Sequence, residues 1–147
     1  MSHSKVRIWI HAVFGTKYRE AQILPSIESE IHQILFRQFV AYDCYVDCIN
    51  GMPDHVHTLF LLSPKKSVSD VIGFVKGGSS HEVNQSLMLP SKFAWQSGYS
   101  AFSVSESKAV NVRRYIERQK IHHLGNNFAE ELEWLERMNG IVPDTHG

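Results

Sequence analysis

The order in which apolar residues change their spacing restricts the fold of this chain more than any other feature of the sequence. Alternation of apolar residues and a high content of strand-forming residues predict β-strands, and they occur over 5–14, 42–50, 53–60 and 100–104. Apolar spacings of three and four predict amphipathic helices, and they occur over 26–41, 67–87, 105–124 and, in a short final element, at Phe128, Leu132 and Leu135. The predicted order is therefore β, α, β, β, α, β, α, α.

That order predicts an α+β ferredoxin-like (RRM-like) sandwich, with a mostly antiparallel sheet and helices on one face. The stretch "NGMPD" supplies the Gly and Pro of a chain reversal between the second and third strands, which predicts a hairpin. Gly77 and Gly78 should weaken the middle of the second helix by about 1 kcal/mol each relative to alanine. Ser105 is the predicted N-cap of the third helix, and Gly125 is its predicted stop.

The length of 147 residues suits one compact domain. We therefore expect a single domain over 1–147, with a core at 5–124 and a short acidic helical tail at 125–147. Hydrophobic residues make up 43% of the chain and charged residues 20%, which is typical of a soluble globular protein.

The formal net charge is zero, but the charges are unevenly placed. Residues 1–124 hold 14 Lys and Arg against 10 Asp and Glu, whereas the remainder holds one against five. A mildly basic body and an acidic tail follow from this distribution. The zero net charge alone gives no support to a polyanionic partner, so any such partner needs a local basic surface.

The cysteines and the apolar runs predict a cytoplasmic location. Cys44 and Cys48 lie in a predicted strand, where they share a face but lie too far apart to bridge easily, so we expect reduced core thiols. The N-terminal apolar run is short, interrupted and without a small-residue cleavage site. No apolar window has the length of a membrane span.

Two histidines in the strand "PDHVHTLF" are the first candidates for chemistry. His55 and His57 project to the same face because Val56 between them points to the other face. On the third predicted helix, Tyr115 and Gln119 are four residues apart and therefore lie on one helical face. If that face lies over the histidine strand, two imidazoles, an amide oxygen and a phenol meet in one place.

Such a set is able to bind a metal and transfer a phosphoryl group. Imidazole and amide oxygen are both acceptable ligands of Mg²⁺ or Mn²⁺, and three protein ligands leave coordination positions open for substrate. A nearby phenol can act as a nucleophile while the ion polarises a phosphoryl oxygen. Taken singly, a His-x-His strand is most often structural, and a Tyr and a Gln one turn apart are common by chance, so only the combination carries the prediction.

The combination resembles the single-tyrosine HUH transposases of the insertion-sequence 200/605 type. Their mark is His-hydrophobic-His on a central strand and a tyrosine on a later helix, which here are "HVH" and Tyr115. Five blocks follow the family's order and spacing: "HAVFGTKYRE", "NGMPDHVHTLF", "FVKGGSSHEVN", "FAWQSGYSAFSVSES" and "YIERQKIHH". Ser100 and Ile121 depart from the pattern, since similar chains often have glycine and an acidic residue there.

The resemblance implies an enzyme that cleaves and rejoins single-stranded DNA carrying a hairpin. It implies Tyr115 as the nucleophile of a covalent 5′-phosphotyrosine intermediate, and His55, His57 and Gln119 as ligands of Mg²⁺ or Mn²⁺. It also implies a homodimer in which the tyrosine helix of one subunit is able to complete the site of the other.

Binding of single-stranded DNA needs a local basic groove and stacking aromatic residues rather than a basic protein. The candidate DNA-binding residues are Lys17, Arg19, Lys76, Arg113, Arg114 and Lys120. Each of them could equally be an ordinary solvated surface charge. Two other functions stay open: a metal-dependent phosphoesterase or nuclease that uses water, and a domesticated hairpin-binding protein or REP-associated transposase relative with a housekeeping role.

Overall fold

A computed structural model describes residues 5–122 and 125–141 of the chain. Four strands and five α-helices occur in these residues: β1 (Trp9–Gly15), α1 (Glu28–Ala41), β2 (Tyr45–Met52), β3 (His55–Leu61), α2 (Val68–Ser86), β4 (Ser100–Val104), α3 (Ala109–Glu117), α4 (Gln119–His122) and α5 (Phe128–Met138). Two 3-10 turns, Lys17–Arg19 and Glu106–Lys108, follow β1 and precede α3. The predicted order of elements is confirmed, with the third predicted helix divided in two.

The strands form one sheet in the order β2-β3-β1-β4, and every neighbouring pair is antiparallel. The predicted α+β ferredoxin-like sandwich is thereby confirmed. The histidine strand β3 is central, between β2 and β1. Its register with β1 sets His57 opposite Val13 and His55 opposite Gly15.

Helices cover both faces of the sheet. The α1 and α2 helices pack over the face formed in β1 by Ile10, Ala12 and Phe14. The opposite face, with Trp9 and Val13, lies beneath α3 and α5. All seven residues of β1 are therefore buried. The sequence predicted helices on one face and a single well-buried side of β1. The structure differs on both points because neither spacing nor composition shows where the C-terminal helices pack.

The β2 strand contains a register shift between Val46 and Cys48. Cys44 precedes the strand and packs in the core beneath α1 and α2, whereas Cys48 packs on the opposite face. The prediction that the two cysteines share a face is therefore wrong, because the alternation that it assumed is interrupted. Both are free thiols, as expected.

The α2 helix spans most of the predicted range. The Ser67 hydroxyl caps its first turn by accepting a hydrogen bond of 3.1 Å from the backbone N–H of Asp70. The helix runs through Gly77 and Gly78 without a break and ends at Leu87, which has a left-handed φ of 56°. Packing of the helix against the core thus outweighs the low helix propensity of the two glycines.

The third predicted helix is interrupted at Arg118, where φ is −97° and ψ is 20°. The Asn50 side chain holds this break, because its amide donates to the carbonyls of Ile116 (3.0 Å) and Glu117 (3.2 Å). The break means that Tyr115 and Gln119 lie on different helices rather than on one continuous face. Gly125, the predicted stop, follows residues 123–124, which lie outside the described part of the chain. No helix within the described ranges is both long and apolar enough to cross a membrane.

Candidate active site

The two histidines of β3 project into one buried space, as the alternation of the strand predicted. Neither side chain has any exposed surface. The Nε2 atom of His55 and the Nε2 atom of His57 each lie 3.1 Å from Oε1 of Glu131 on α5. Both rings therefore present the same nitrogen to one point.

The other nitrogen of each ring has its own partner, which fixes the ring's orientation. Nδ1 of His55 lies 2.7 Å from Oδ1 of Asp54, and Nδ1 of His57 lies 2.9 Å from Nε2 of His11 on β1. Such partners hold an imidazole with its second nitrogen directed at a metal or a substrate. The two Nε2 atoms are thus held in a fixed geometry, directed at Oε1 of Glu131 in the centre of the site.

An aromatic ring closes one side of the site. Phe128, the first residue of α5, stacks on His55 with ring centroids 4.0 Å apart and planes within 4°. Gly15 permits this approach, because a Cβ atom at that position would lie 2.9 Å from the Phe128 ring. The glycine at the end of β1 therefore allows α5 to reach the histidine pair.

Glu131 connects the histidines to the two residues predicted on the third helix. Its Oε2 atom accepts hydrogen bonds from the Tyr115 hydroxyl and, at 2.8 Å, from Nε2 of Gln119. The amide oxygen of Gln119 lies 3.3 Å from Nε2 of His55. The structure thus brings together His55, His57, Gln119 and Tyr115 within one chain, despite the break between α3 and α4.

The surroundings shift the pKa values of the site in opposite directions. Burial, and then the bond to Glu131, raise the pKa of the Tyr115 phenol far above its usual range. Burial opposes the charge of Glu131, but hydrogen bonds from His55 and His57 hold its pKa well below the usual range. Burial likewise lowers the pKa of His55, yet Asp54 and Glu131 outweigh it and raise that pKa overall. A negative carboxylate therefore lies between the imidazoles and the phenol.

The donor set fits a divalent cation. One ligand atom from each of His55, His57 and Glu131 lies within 4.8 Å of the others, in a buried cluster. The amide oxygen of Gln119 faces the same space. Imidazole nitrogen with carboxylate and amide oxygen suits Mn²⁺ or Mg²⁺ rather than a soft metal. Which of these atoms bind the ion stays a prediction.

Sequence reasoning missed three polar residues of the site: Glu131, His11 and Asp54. Glu131 had a signal, because it lies on the apolar face of the last helix, between Phe128 and Leu135. A glutamate on a buried helical face is rarely left without a polar partner. His11 and Asp54 carry no comparable signal, since they reach the site only through strand pairing and a turn.

Three of the predicted DNA-binding residues line one surface groove, which we call the basic groove. It lies between the loop after β1, the α2 helix and the segment before β4, and its volume is about 1010 Å³. Its lining comprises Lys17, Tyr18, Arg19, Lys76, Gly77, Ser80, His81, Asn84, Lys92, Phe93, Ala94, Trp95, Gln96 and Ser97. The groove thus collects Lys17, Arg19 and Lys76 from distant parts of the sequence.

The other three predicted DNA-binding residues, Arg113, Arg114 and Lys120, lie on α3 and α4 and do not line the basic groove. Arg113 forms a bidentate ion pair with Asp47, with N–O distances of 2.6 and 2.9 Å. Lys120 pairs with Glu28 at 3.0 Å and donates to the Gly51 carbonyl. These two cations therefore already hold α3 and α4 against the rest of the fold.

Comparison with known proteins gives the class and then the family. The family model for IS200-like transposases matches residues 4–119. The chain is 26% identical over 114 residues to the ISDra2 transposase TnpA of Deinococcus radiodurans, covering 74% of this chain and 81% of that protein. It is 27% identical over 130 residues to the transposase of insertion sequence element IS200 from Salmonella typhimurium, covering 81% of each.

Two solved structures share the fold. A candidate transposase from Deinococcus radiodurans R1 superposes with a TM-score of 0.64 at 23% identity, over 81% of this chain and 98% of the other. A REP-associated tyrosine transposase bound to a REP hairpin superposes with a TM-score of 0.55 at 15% identity, over 97% of this chain and 76% of the other. By class the protein is a transposase. More narrowly, the chain belongs to the IS200-like transposase family, and the resemblance seen in the sequence is confirmed.

Proposed function

We propose that this transposase cleaves and rejoins single-stranded DNA through a covalent bond between Tyr115 and a 5′-phosphate. The observation that carries the proposal is the link from the Tyr115 hydroxyl through Glu131 to both His55 and His57. A phenol so placed lies beside the point at which the imidazoles would hold an ion. The family membership supports DNA cleavage and strand transfer as the activity.

In the proposed mechanism, His55, His57 and Gln119 would hold Mg²⁺ or Mn²⁺, with Glu131 beside them. The bound ion would polarise a phosphoryl oxygen of the DNA and stabilise charge in the transition state. The Tyr115 oxygen, which Glu131 orients through its hydrogen bond, bonds to phosphorus and loses its proton to solvent, and the bond from phosphorus to the 3′ oxygen breaks. The 3′ oxygen leaves and takes up a proton from solvent, which gives a free 3′-hydroxyl.

Rejoining is the reverse step with a second 3′-hydroxyl. That hydroxyl attacks the phosphotyrosine, and the Tyr115 oxygen takes back a proton as it leaves. The free energy of the phosphodiester bond is retained in the tyrosine ester, so the cycle needs no ATP. His11 and Asp54 contribute by fixing the orientation of the histidine rings.

The proposed substrate is single-stranded DNA with a hairpin, bound in part at Lys17, Arg19 and Lys76 of the basic groove. The fold is shared with a REP-associated tyrosine transposase that is bound to a REP hairpin. Arg113, Arg114 and Lys120 remain candidates for weaker phosphate contacts on α3 and α4.

Trapping with a labelled oligonucleotide tests the proposal. The oligonucleotide carries a hairpin and a label 3′ of the cleavage position, so that a covalent complex retains the label. We expect a labelled protein band with the wild-type chain and none with Tyr115→Phe, whereas Tyr99→Phe, which alters an exposed tyrosine before β4, keeps the band. His57→Ala should abolish cleavage and keep hairpin affinity, because phosphate contacts and stacking hold the DNA.

The other outcomes identify the two alternative functions. Cleavage with no covalent band would indicate a phosphoesterase or nuclease that uses water. Hairpin binding with neither cleavage nor adduct would indicate a domesticated binding protein. Either result overturns Tyr115 as the nucleophile.

We also propose that the active form is a homodimer. In the structure, Tyr115 lies beside His57 of the same chain. Mixing two inactive variants tests whether, in a dimer, Tyr115 instead acts at the histidine pair of the other subunit. Recovery of cleavage on mixing Tyr115→Phe with His57→Ala would show that the tyrosine acts on the histidine pair of the other subunit. If mixing does not restore cleavage, the site acts within one chain, as in the arrangement seen here.

A further inference from the structure

The basic groove has the charge of a polyanion site. Lys17, Arg19, Lys76 and Lys92 line it, and no Asp or Glu is among the described residues that line it. The protein as a whole has no net charge, so this local excess of cations is a property of the groove. A concave surface lined by one sign of charge concentrates ligands of the opposite sign.

The floor of the groove is fixed by side chains bonded to its backbone. The Asn84 side chain bonds both the N–H and the carbonyl of Phe93, at 2.7 and 3.0 Å. Gln22 donates to the carbonyl of Lys92 at 3.0 Å, and Lys76 donates to the carbonyls of Gln96 and Gly98 at 2.6 and 2.7 Å. The groove is thus preformed, and binding there does not have to order this segment.

The rim of the groove carries an exposed aromatic side chain on a strained backbone. Tyr18 has 81% of its surface exposed. Tyr18 and Arg19 both have left-handed φ angles, 57° and 56°. A non-glycine residue in that region costs about 1–2 kcal/mol, and such strain is often found where a ligand binds.

Backbone and side-chain hydrogen bonds hold the loop that carries Tyr18. The Thr16 hydroxyl donates to the carbonyl of Glu20 at 2.6 Å, and the Lys17 N–H donates to the carbonyl of Ala94 at 2.9 Å. The Lys17 ammonium lies 5.5 Å from the centroid of the Tyr18 ring, and the side chain is 81% exposed. The loop therefore presents an aromatic face to solvent between two cations, Lys17 and Arg19.

One residue that lines the groove, Arg19, also lies near the active site. The Arg19 guanidinium lies 5.5 Å from the centre of the Phe128 ring, and that ring stacks on His55. Arg19 directly follows Tyr18 in the sequence and therefore places the Tyr18 loop next to the ring that covers His55.

We propose that the basic groove binds an unpaired nucleotide of the DNA strand that enters the active site, with its base stacked on Tyr18. The adjacent phosphates would lie against Lys17, Arg19 and Lys92. The occupant is unpaired because stacking on a side chain needs a free base face, which a duplex covers with neighbouring bases. The inference rests on the proposed function for the identity of the strand, but the binding itself needs neither the ion nor Tyr115.

Fluorescence anisotropy with a labelled oligothymidine of about 12 nucleotides, without divalent cations, measures this contact. Stacking of one base on an aromatic side chain corresponds to about a 5- to 150-fold change in Kd. We expect a loss in that range for Tyr18→Ala and near wild-type binding for Tyr18→Phe. Tyr45→Ala is the matched control, because it removes a tyrosine that is 63% exposed and lies on β2, outside the groove.

Tyr18→Gly separates the stacking role from a structural one. Glycine adopts a left-handed φ without strain, so this variant should melt at the same or a higher temperature than the wild type. It should nevertheless bind the oligothymidine as weakly as Tyr18→Ala. Lower affinity together with a lower melting temperature would mean that Tyr18 supports the loop, and the proposal would be wrong.

Removal of single bases tests the stacking directly. Abasic sites are placed one at a time along the oligothymidine, and each is measured with the wild type and with Tyr18→Ala. We expect one position whose base contributes to binding by the wild type and contributes nothing to binding by Tyr18→Ala. An equal loss in both proteins at every position would overturn the proposal.

A blunt hairpin and the trapping assay distinguish a failure of this inference from a failure of the proposed function. If the hairpin is as sensitive to Tyr18→Ala as the single strand is, the groove holds paired DNA and the inference is wrong. If Tyr18 contacts an unpaired base but no covalent band forms with Tyr115, the inference stands and the proposed function fails. If the band forms and Tyr18→Ala binds the oligothymidine normally, only the inference fails.

Discussion

The hydroxyl of Tyr115 on α3 donates a hydrogen bond to Glu131, sixteen residues later on α5. The same carboxylate accepts from Gln119 and lies 3.1 Å from Nε2 of both His55 and His57. Glu131 is therefore the common partner of every residue that the sequence predicted for the site. It lies outside residues 4–119, the part of the chain that the family model matches.

We expect Glu131→Gln to weaken Mn²⁺ binding and cleavage, because the amide has no negative charge and cannot accept from the phenol and the histidines together. Loss of a residue that binds or orients metal ligands commonly lowers metal affinity or activity about 10- to 100-fold. Calorimetric titration with Mn²⁺ and the single-turnover cleavage rate measure the two effects.

Glu133→Gln is the control for this change. Glu133 also lies on α5, and it lines, together with Glu131, a surface cavity of about 480 Å³ beside Tyr115. Unlike Glu131, Glu133 is exposed. The control should leave both quantities unchanged. Wild-type Mn²⁺ affinity and rate in Glu131→Gln would show that the carboxylate has no role in the site.

Phe128→Ala should destabilise the fold and disturb His55 at the same time. The ring is 5% exposed, packs with Val13 and Phe102, and stacks on His55. Truncation of a buried phenylalanine costs about 3–5 kcal/mol. Denaturant unfolding measures the loss, and Met138→Ala, at a residue of α5 that is 68% exposed, should change the free energy of unfolding by less than about 0.5 kcal/mol. A small effect of Phe128→Ala would mean that α5 contributes little to the folded state.

Local spacing was enough to predict the sheet and the histidine pair. The alternation around Val56 requires that His55 and His57 share a face, and nothing in the tertiary structure alters that. The prediction that Tyr115 and Gln119 lie near the histidine pair agrees with the structure, but the reason given for it does not. It assumed one continuous helix, whereas the Asn50 side chain holds a break at Arg118 between the two residues.

The remaining features depend on contacts between distant segments. Glu131 enters the site only because α5 packs across the sheet, and the close approach of its first residue depends on the missing side chain at Gly15. The basic residues illustrate the same limit. Sequence shows that Arg19 and Arg113 are both cationic, but only the fold shows that Arg19 lines the groove and that Arg113 is paired with Asp47.

Two glycine substitutions should have opposite effects on stability. At Gly51 in β2, an added Cβ atom would lie 2.2 Å from the carbonyl oxygen of His55, so Gly51→Ala must displace the backbone of the histidine strand. At Gly73 in α2, an added Cβ atom has no neighbour within 4 Å in the part of the chain that the structure describes. Gly73→Ala should therefore stabilise the protein by about 0.5–1 kcal/mol, since alanine is the better helix former.

Thermal and denaturant unfolding of both variants measure the difference, and Gly51→Ala should also weaken Mn²⁺ binding because it moves His55. Equal melting temperatures for Gly51→Ala and the wild type would contradict the close packing of β2 on β3. A destabilised Gly73→Ala would contradict the open space over α2.

The buried imidazole of His11 should make stability fall as the pH falls below neutrality. Burial, and then the neighbouring His57, lower the pKa of His11 to about 3, although Glu131 opposes the shift. The unfolded chain keeps a pKa near 6.5 and so binds a proton that the folded protein does not. Stability from this residue is therefore complete above about pH 6.5 and decreases by about 1.4 kcal/mol per pH unit as the pH falls toward 3.

His11→Gln should remove this part of the slope, whereas His81→Gln, at an exposed position on α2, should keep it. Denaturant unfolding between about pH 6 and about pH 4 measures the slopes. The same slope in His11→Gln and the wild type would show that His11 is not held neutral beside His57.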